Sequence, residues 1–219
     1  MPKRALIEHR PWLVVSLVAS AAFYLVNQSE SALGEVWIML LKGAGVGALA
    51  AYAAHRASGA VAYHIAAVLG LCAIADAVLE IWFEIGAAIF GVAHLVAIML
   101  YLRFPRHQST GSQKLLAFSL LLGTPAIAWF ITHDALAAGY ALTLGAMAAS
   151  AWMSRFPRYR VGIGAVLFVV SDIMIFARMG LEPEPALAGL LIWPLYYIGQ
   201  FMIATGVVQT LRHELAEED

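Results

Sequence analysis

Charge and cysteine are both scarce in this chain. Lys, Arg, Asp and Glu together make up 12% of 219 residues, against 62% hydrophobic, and the mean hydropathy is +0.81. A soluble domain carries about twice that share of charge, so the composition is that of an integral membrane protein. The single cysteine, Cys72, falls in an apolar stretch. It excludes a disulfide framework and a Cys-rich metal site, and reads as a small buried apolar residue. Several catalytic signatures are missing as well. There is no G-x-S-x-G elbow, no H-x-x-x-H or H-E-x-x-H, and no Gly-rich phosphate loop, which leaves no support for a serine hydrolase, a His-rich zinc site or a nucleotide site. No polar stretch is long enough for a separate soluble domain.

What the chain has is apolar runs. Eight of them, each of about 16–24 residues, approach the length a helix needs to cross ~30 Å of hydrocarbon. They are expected at 12–27, 35–54, 61–79, 86–102, 115–132, 135–153, 161–178 and 187–210. Short polar separators such as RFPRHQSTGSQK, RFPRYR and EPEP join them. The fold class is therefore all-α: a polytopic membrane bundle of about eight helices, forming a single transmembrane domain over 1–219. The opening resembles a signal peptide, since Lys3, Arg4 and Arg10 precede an apolar run ending at the small residues Ser29–Ala32; we read it as the first span.

Charge placement sets the orientation. Lys3, Arg4, Arg10, Arg56, Arg103, Arg106, Lys114, Arg155, Arg158, Arg160 and Arg212 fall on one side, 11 of the 13 basic residues. Arg178 lies opposite, with Glu30, Glu80, Glu84, Asp134, Glu182 and Glu184, and Lys42 lies inside a span. By the positive-inside rule both termini are cytoplasmic, and this topology accounts for the basic loops without nucleic acid. Trp12 and Trp152 sit near the cytoplasmic helix ends, and Trp37 and Trp82 near the outer ones. Gly43-x-x-x-Gly47 suits close helix packing. The acidic tail Glu214–Asp219 reads as a solvated end.

Strongly polar residues inside the spans are few: Lys42, Asp76, His94, Asp172 and Gln200. Asp172 ends the run GAVLFVVSD. A carboxylate at the bilayer centre costs roughly 2.5–3.5 kcal/mol on insertion scales, so it faces a bundle interior or a wet cavity. At ~1.5 Å per residue, Asp76 lies ~22 Å and Asp172 ~16 Å from the cytoplasmic boundary; Lys42, His94 and Gln200 lie ~10, ~12 and ~20 Å from the outer one. All five are expected in one layer between the middle and the outer third. Glu80 stands one turn above Asp76, Ser171 adjoins Asp172, and Tyr196 and Tyr197 precede Gln200 by four and three residues.

Two chemistries suit such a set, beside the plain alternative of a buried Lys42–Asp pair that fixes helix register. A lysine paired with one carboxylate keeps that group ionised, while a second, desolvated carboxyl stays protonated. The division serves general acid–base catalysis. It serves a proton relay in a transporter or lipid flippase equally. A four-plus-four internal repeat, which would favour transport, is weak, because Gly70-x5-Asp76 and Gly164-x7-Asp172 do not align.

At these residues the chain resembles the YhhN-like lysoplasmalogenase family of eight-helix membrane proteins. The resemblance rests on Gly164-Ala165-x-x-Phe168-x-x-Ser171-Asp172, Tyr196-Tyr197-x-x-Gln200 and Phe83-x-x-Gly86-x-x-x-Phe90-x-x-x-His94, with Lys42 and Asp76 in matching helices, and covers about 35–205. The chain departs from the family at Ala75, Gly43 and Ala97, where the family usually has Gly, Pro and Tyr. The resemblance implies hydrolysis of a lysoplasmalogen vinyl ether to a fatty aldehyde and a glycerophospho-base. Asp76 and Asp172 would be the catalytic carboxyls, as paired carboxylates serve glycoside hydrolysis through a similar cation. Lys42, Glu80, His94, Ser171, Tyr196, Tyr197 and Gln200 would tune them or hold substrate. No metal or cofactor is implied; the expected partners are a lysophospholipid-type substrate and membrane lipid, reached from the outer leaflet. A bacterial inner membrane is the expected location. The sequence leaves the oligomeric state open.

Overall fold

The computed structural model describes residues 11–29 and 34–218, with side chains as far as 214. Lys3, Arg4, Arg10, Glu30, the small residues at 31–32 and the tail side chains beyond Glu214 lie outside the described residues. Among the described residues eight helices account for nearly the whole chain: α1 (Pro11–Gln28), α2 (Glu35–Arg56), α3 (Ala60–Leu79), α4 (Phe83–Arg103), α5 (Gly111–Thr132), α6 (Ala135–Met153), α7 (Ile163–Gly180) and α8 (Ala188–Glu218). Each has the length and hydropathy to cross a membrane. The one β feature among the described residues is an isolated antiparallel bridge between Pro105 and Ser154. Large apolar side chains such as Leu25, Phe130 and Leu136 point outward. Lipid tails, not water, are the natural solvent for such a surface.

The eight expected spans are the eight helices, but several helices outrun their apolar cores. α4 starts at Phe83, α5 at Gly111, and α8 continues to Glu218. Hydropathy measures the hydrocarbon slab, whereas backbone hydrogen bonding stops at a cap or breaker. The Gln113 side chain accepts from the Thr110 N–H at 3.0 Å, which begins α5 before its apolar run does. Ahead of α7, residues Arg158–Gly162 form a single π-helical turn.

The chain divides into two compact units: Met1–Ala93 with Val207–Asp219, and His94–Gly206. The boundaries fall within α4 and α8.

In the first unit small residues let the helices approach closely. The Ser16 hydroxyl donates to the Gly45 carbonyl at 2.6 Å, joining α1 to α2. A Cβ on Gly43 would meet the Ala73 carbonyl at 3.1 Å, and one on Gly47 the Ala73 side chain at 3.7 Å, so the Gly43-x-x-x-Gly47 face packs on α3. Gly86, in the first turn of α4, lets that helix begin close against the end of α3, since a Cβ there would stand 2.6–2.9 Å from Leu79.

In the second unit α5 and α6 form a tight hairpin. His133 takes a left-handed conformation at φ 51°, and the Asp134 side chain caps α6 by accepting from the Leu136 N–H at 2.9 Å. α7 packs against α8 backbone to backbone, because a Cβ on Gly164 would lie 2.6 Å from the Gly199 carbonyl. That approach aligns the polar face of α7 with the aromatic face of α8.

Candidate active site

Within the second unit the polar residues converge on Tyr140. Its hydroxyl donates to an Asp172 carboxyl oxygen at 2.6 Å, linking α6 to α7. Asp172 is 4% exposed, and among the described residues Tyr140 alone hydrogen-bonds its carboxyl. His94 packs against the same phenol, with ring centroids 5.3 Å apart. The His94 Nδ1 lies 3.1 Å from the Thr143 hydroxyl, which in turn donates to the Tyr140 carbonyl at 2.7 Å. One turn of α6 thus holds both the carboxyl and the imidazole. The spacing that does it is Tyr140-x-x-Thr143, which places both side chains on one helical face.

An aromatic wall surrounds this arrangement. Phe168 stands edge-on to His94 at 5.3 Å and to Tyr196 at 4.9 Å, while Phe176 closes on Tyr140 at 6.3 Å. The Ser171 hydroxyl donates to the Ile192 carbonyl at 2.9 Å, so it ties α7 to α8. Tyr197 lies on a neighbouring stack with Trp193 and Phe201. Gln200, one turn beyond Tyr196, is 2% exposed, and its amide nitrogen donates to no described residue. Such a buried donor is held at the full cost of desolvation unless an acceptor reaches it.

The first unit carries the other ionisable groups. Lys42 on α2 bonds Glu80 at 2.6 Å, with its ammonium 5.6 Å from the centre of the Phe23 ring. Asp76 is 2% exposed on α3, one turn before Glu80. The sequence offered an aspartate as the partner for Lys42, and the structure gives it Glu80. The longer carboxylate stands at the α3 C-terminus, where pairing requires less desolvation than deeper in the helix.

The sequence reading missed Tyr140 and Thr143. It started from ionisable and amide side chains and took in hydroxyls only where they neighbour one, as Ser171, Tyr196 and Tyr197 do, whereas Tyr140 and Thr143 stand alone in the alanine-rich helix ALAAGYALTLGAMAAS. A tyrosine and a threonine three residues apart in such a run are the signal that a search for neutral donors would have found. Among the described residues no three His, Cys, Asp or Glu side chains gather as a metal-ligand group.

A buried carboxyl and imidazole beside a phenol, carried on helices long and apolar enough to cross a membrane, are the polar site of a polytopic membrane protein. A model of the YhhN family matches residues 37–207, most of the chain, and the protein belongs to that family. The match contains all the candidate residues named above, and it bears out the resemblance read from the helix motifs. No curated protein and no solved structure matches the chain.

Proposed function

We propose that the protein is a membrane-embedded ether hydrolase that cleaves the vinyl ether of a lysoplasmalogen or a related one-chain ether lipid. The observation that carries this reading is the part-buried Tyr140–Asp172 hydrogen bond in a YhhN-family bundle. With one carboxyl oxygen held by the phenol, the other carries the proton for transfer. The protonated Asp172 delivers it to the vinyl carbon remote from oxygen, and the new carboxylate stands against the oxocarbenium ion that forms. Water adds to that cation and returns a proton to the Asp172 carboxylate. The hemiacetal then collapses to a fatty aldehyde and the glycerol hydroxyl of a glycerophospho-base, so one water is consumed and Asp172 ends as it began.

Asp76 is the second carboxyl of the proposal, assigned from the sequence and supported in its own unit by burial among apolar helices. Lys42 and Glu80 serve as a tuning pair. His94 and Ser171 hold the Asp172 surroundings in place, and Tyr196, Tyr197 and Gln200 are assigned to positioning water or substrate.

The experiment is aldehyde release by purified protein from a lysoplasmalogen, beside its saturated ether and ester counterparts. Vinyl-ether-dependent aldehyde is expected, with Asp172→Asn and Asp76→Asn each reducing it by about 10²–10⁴-fold, the usual contribution of a general acid or base. Wild-type rates from both folded variants would refute the carboxyl mechanism. The Asp172–Tyr140 and His94–Thr143 contacts also suit a proton relay. Uptake driven by a pH gradient, with no aldehyde formed, would establish that transport reading in its place.

A further inference from the structure

The sequence Arg-Phe-Pro-Arg occurs twice, at Arg103–Arg106 and Arg155–Arg158, and the structure joins the two copies. The Arg106 N–H donates to the Met153 carbonyl at 2.9 Å and the Arg155 N–H to the Phe104 carbonyl at 2.8 Å. Phe156 is buried beneath them, edge-on to Tyr101 and Phe104, and the Arg155 guanidinium lies 4.4 Å over the Phe104 ring. The α4–α5 and α6–α7 loops therefore form one joined basic platform.

Two arginines of this platform, Arg106 and Arg158, end the two copies. Arg106 donates through Nη2 to the Phe156 carbonyl at 2.9 Å. Arg158 lies 5.5 Å over the Trp152 indole, and Gly162 beneath them makes room, since a Cβ there would stand 2.7 Å from the Trp152 ring and 3.3 Å from the Arg158 stem. Neither arginine makes an ion pair with a described residue. The Nε of Arg106, the Nε of Arg158 and the indole Nε1 of Trp152 are all buried without an acceptor among the described residues. Burial, and then the Arg158 charge, hold the Arg106 guanidinium below its ordinary pKa.

Three donors, two like charges and no carboxylate are the complement of an anion. A guanidinium fork matches phosphate oxygens in geometry as well as charge. Leu102 and Tyr159, neighbours in sequence of Arg103 and Arg158, are 64% and 77% exposed, which places apolar and aromatic side chains at the level of the arginines. This mixture is typical of the membrane–water interface. We propose that the paired Arg-Phe-Pro-Arg loops bind the phosphate of an anionic lipid headgroup, with Arg106, Arg158 and the Trp152 indole as its donors. The site is independent of the hydrolase reading.

The test is retention of phosphatidylglycerol against phosphatidylcholine by the purified full chain, measured by native mass spectrometry across a lipid titration. Selective retention of phosphatidylglycerol is expected from wild type. The Arg106→Gln/Arg158→Gln variant should weaken it about 30-fold, roughly fivefold per arginine from the ~1 kcal/mol that a basic residue contributes at an anionic surface. Arg103→Gln/Lys114→Gln should leave it unchanged. Trp152→Phe keeps the ring and removes the N–H, so a smaller selective loss is expected there even if the double variant does not fold. Equal loss in the Arg103/Lys114 control would reduce the effect to general surface charge and overturn the site. Displacement of the lipid by millimolar inorganic phosphate would assign the donors to a free anion and overturn the lipid claim.

Discussion

Tyr140 holds Asp172 with a neutral group, and this choice shapes what the carboxyl does. A cation beside it would favour the ionised form, whereas a phenol bonds either form and leaves proton transfer open. Tyr140→Phe keeps the ring contacts with His94 and Phe176 and removes only the hydroxyl. Aldehyde release is expected to fall about tenfold in that variant, with stability changed by about 1 kcal/mol as for a single hydrogen bond; rates and denaturation on one preparation check both. Lys42 and Glu80 provide a second test. Lys42→Met and Glu80→Gln should each destabilise, and the double variant by less than their sum. A coupling of about 1 kcal/mol is expected for a partly exposed pair, measured by a double-mutant cycle.

Helix pairs in this protein depend on a few glycines where backbones nearly touch. A methyl on Gly86 would press on the Leu79 backbone, and one on Gly164 on the Gly199 carbonyl; neither neighbour is a flexible side chain that can move aside. Gly86→Ala and Gly164→Ala are each expected to destabilise by about 1–3 kcal/mol, the usual range for overpacking, whereas Gly91→Ala, which meets nothing within 4 Å, should be tolerated. Thermal unfolding in detergent separates the three. Much of this layout was legible in the sequence. Apolar runs fixed the helix number, and Gly86 and Gly164 lay in the quoted motifs, whereas the caps at Asp134 and at Thr110/Gln113 come from the structure. What could not be read was the pairing of separated segments. Nothing local in Arg-Phe-Pro-Arg says that its two copies bond each other, nothing in helix 2 selects Glu80 for Lys42, and a π turn leaves no hydropathy signature.

For the whole molecule, the distribution of basic residues predicts which ends share a side. The two Arg-Phe-Pro-Arg loops are joined through their backbones, while Arg178 bonds Glu184 in the loop between α7 and α8. The native Cys72 is buried, so single cysteines introduced elsewhere should report with little background. His107→Cys is expected to react with an impermeant maleimide only from the cytoplasmic side of oriented vesicles, and Glu182→Cys only from the other; labelling of both from one side would refute the topology. The π turn at Arg158–Gly162 opens the helix that carries Asp172. Lying ten residues before Asp172, ~15 Å along the axis, it acts as a phase setting between the basic platform and the carboxyl. A π turn holds one residue more than the α turn it replaces, so the extra residue is taken up within the turn instead of being passed on as the ~100° rotation that one residue makes in a regular helix. It works as a slip joint: the loop bonds at one end and the Asp172–Tyr140 bond further along each stay seated, although the residue count between them is not that of a regular helix.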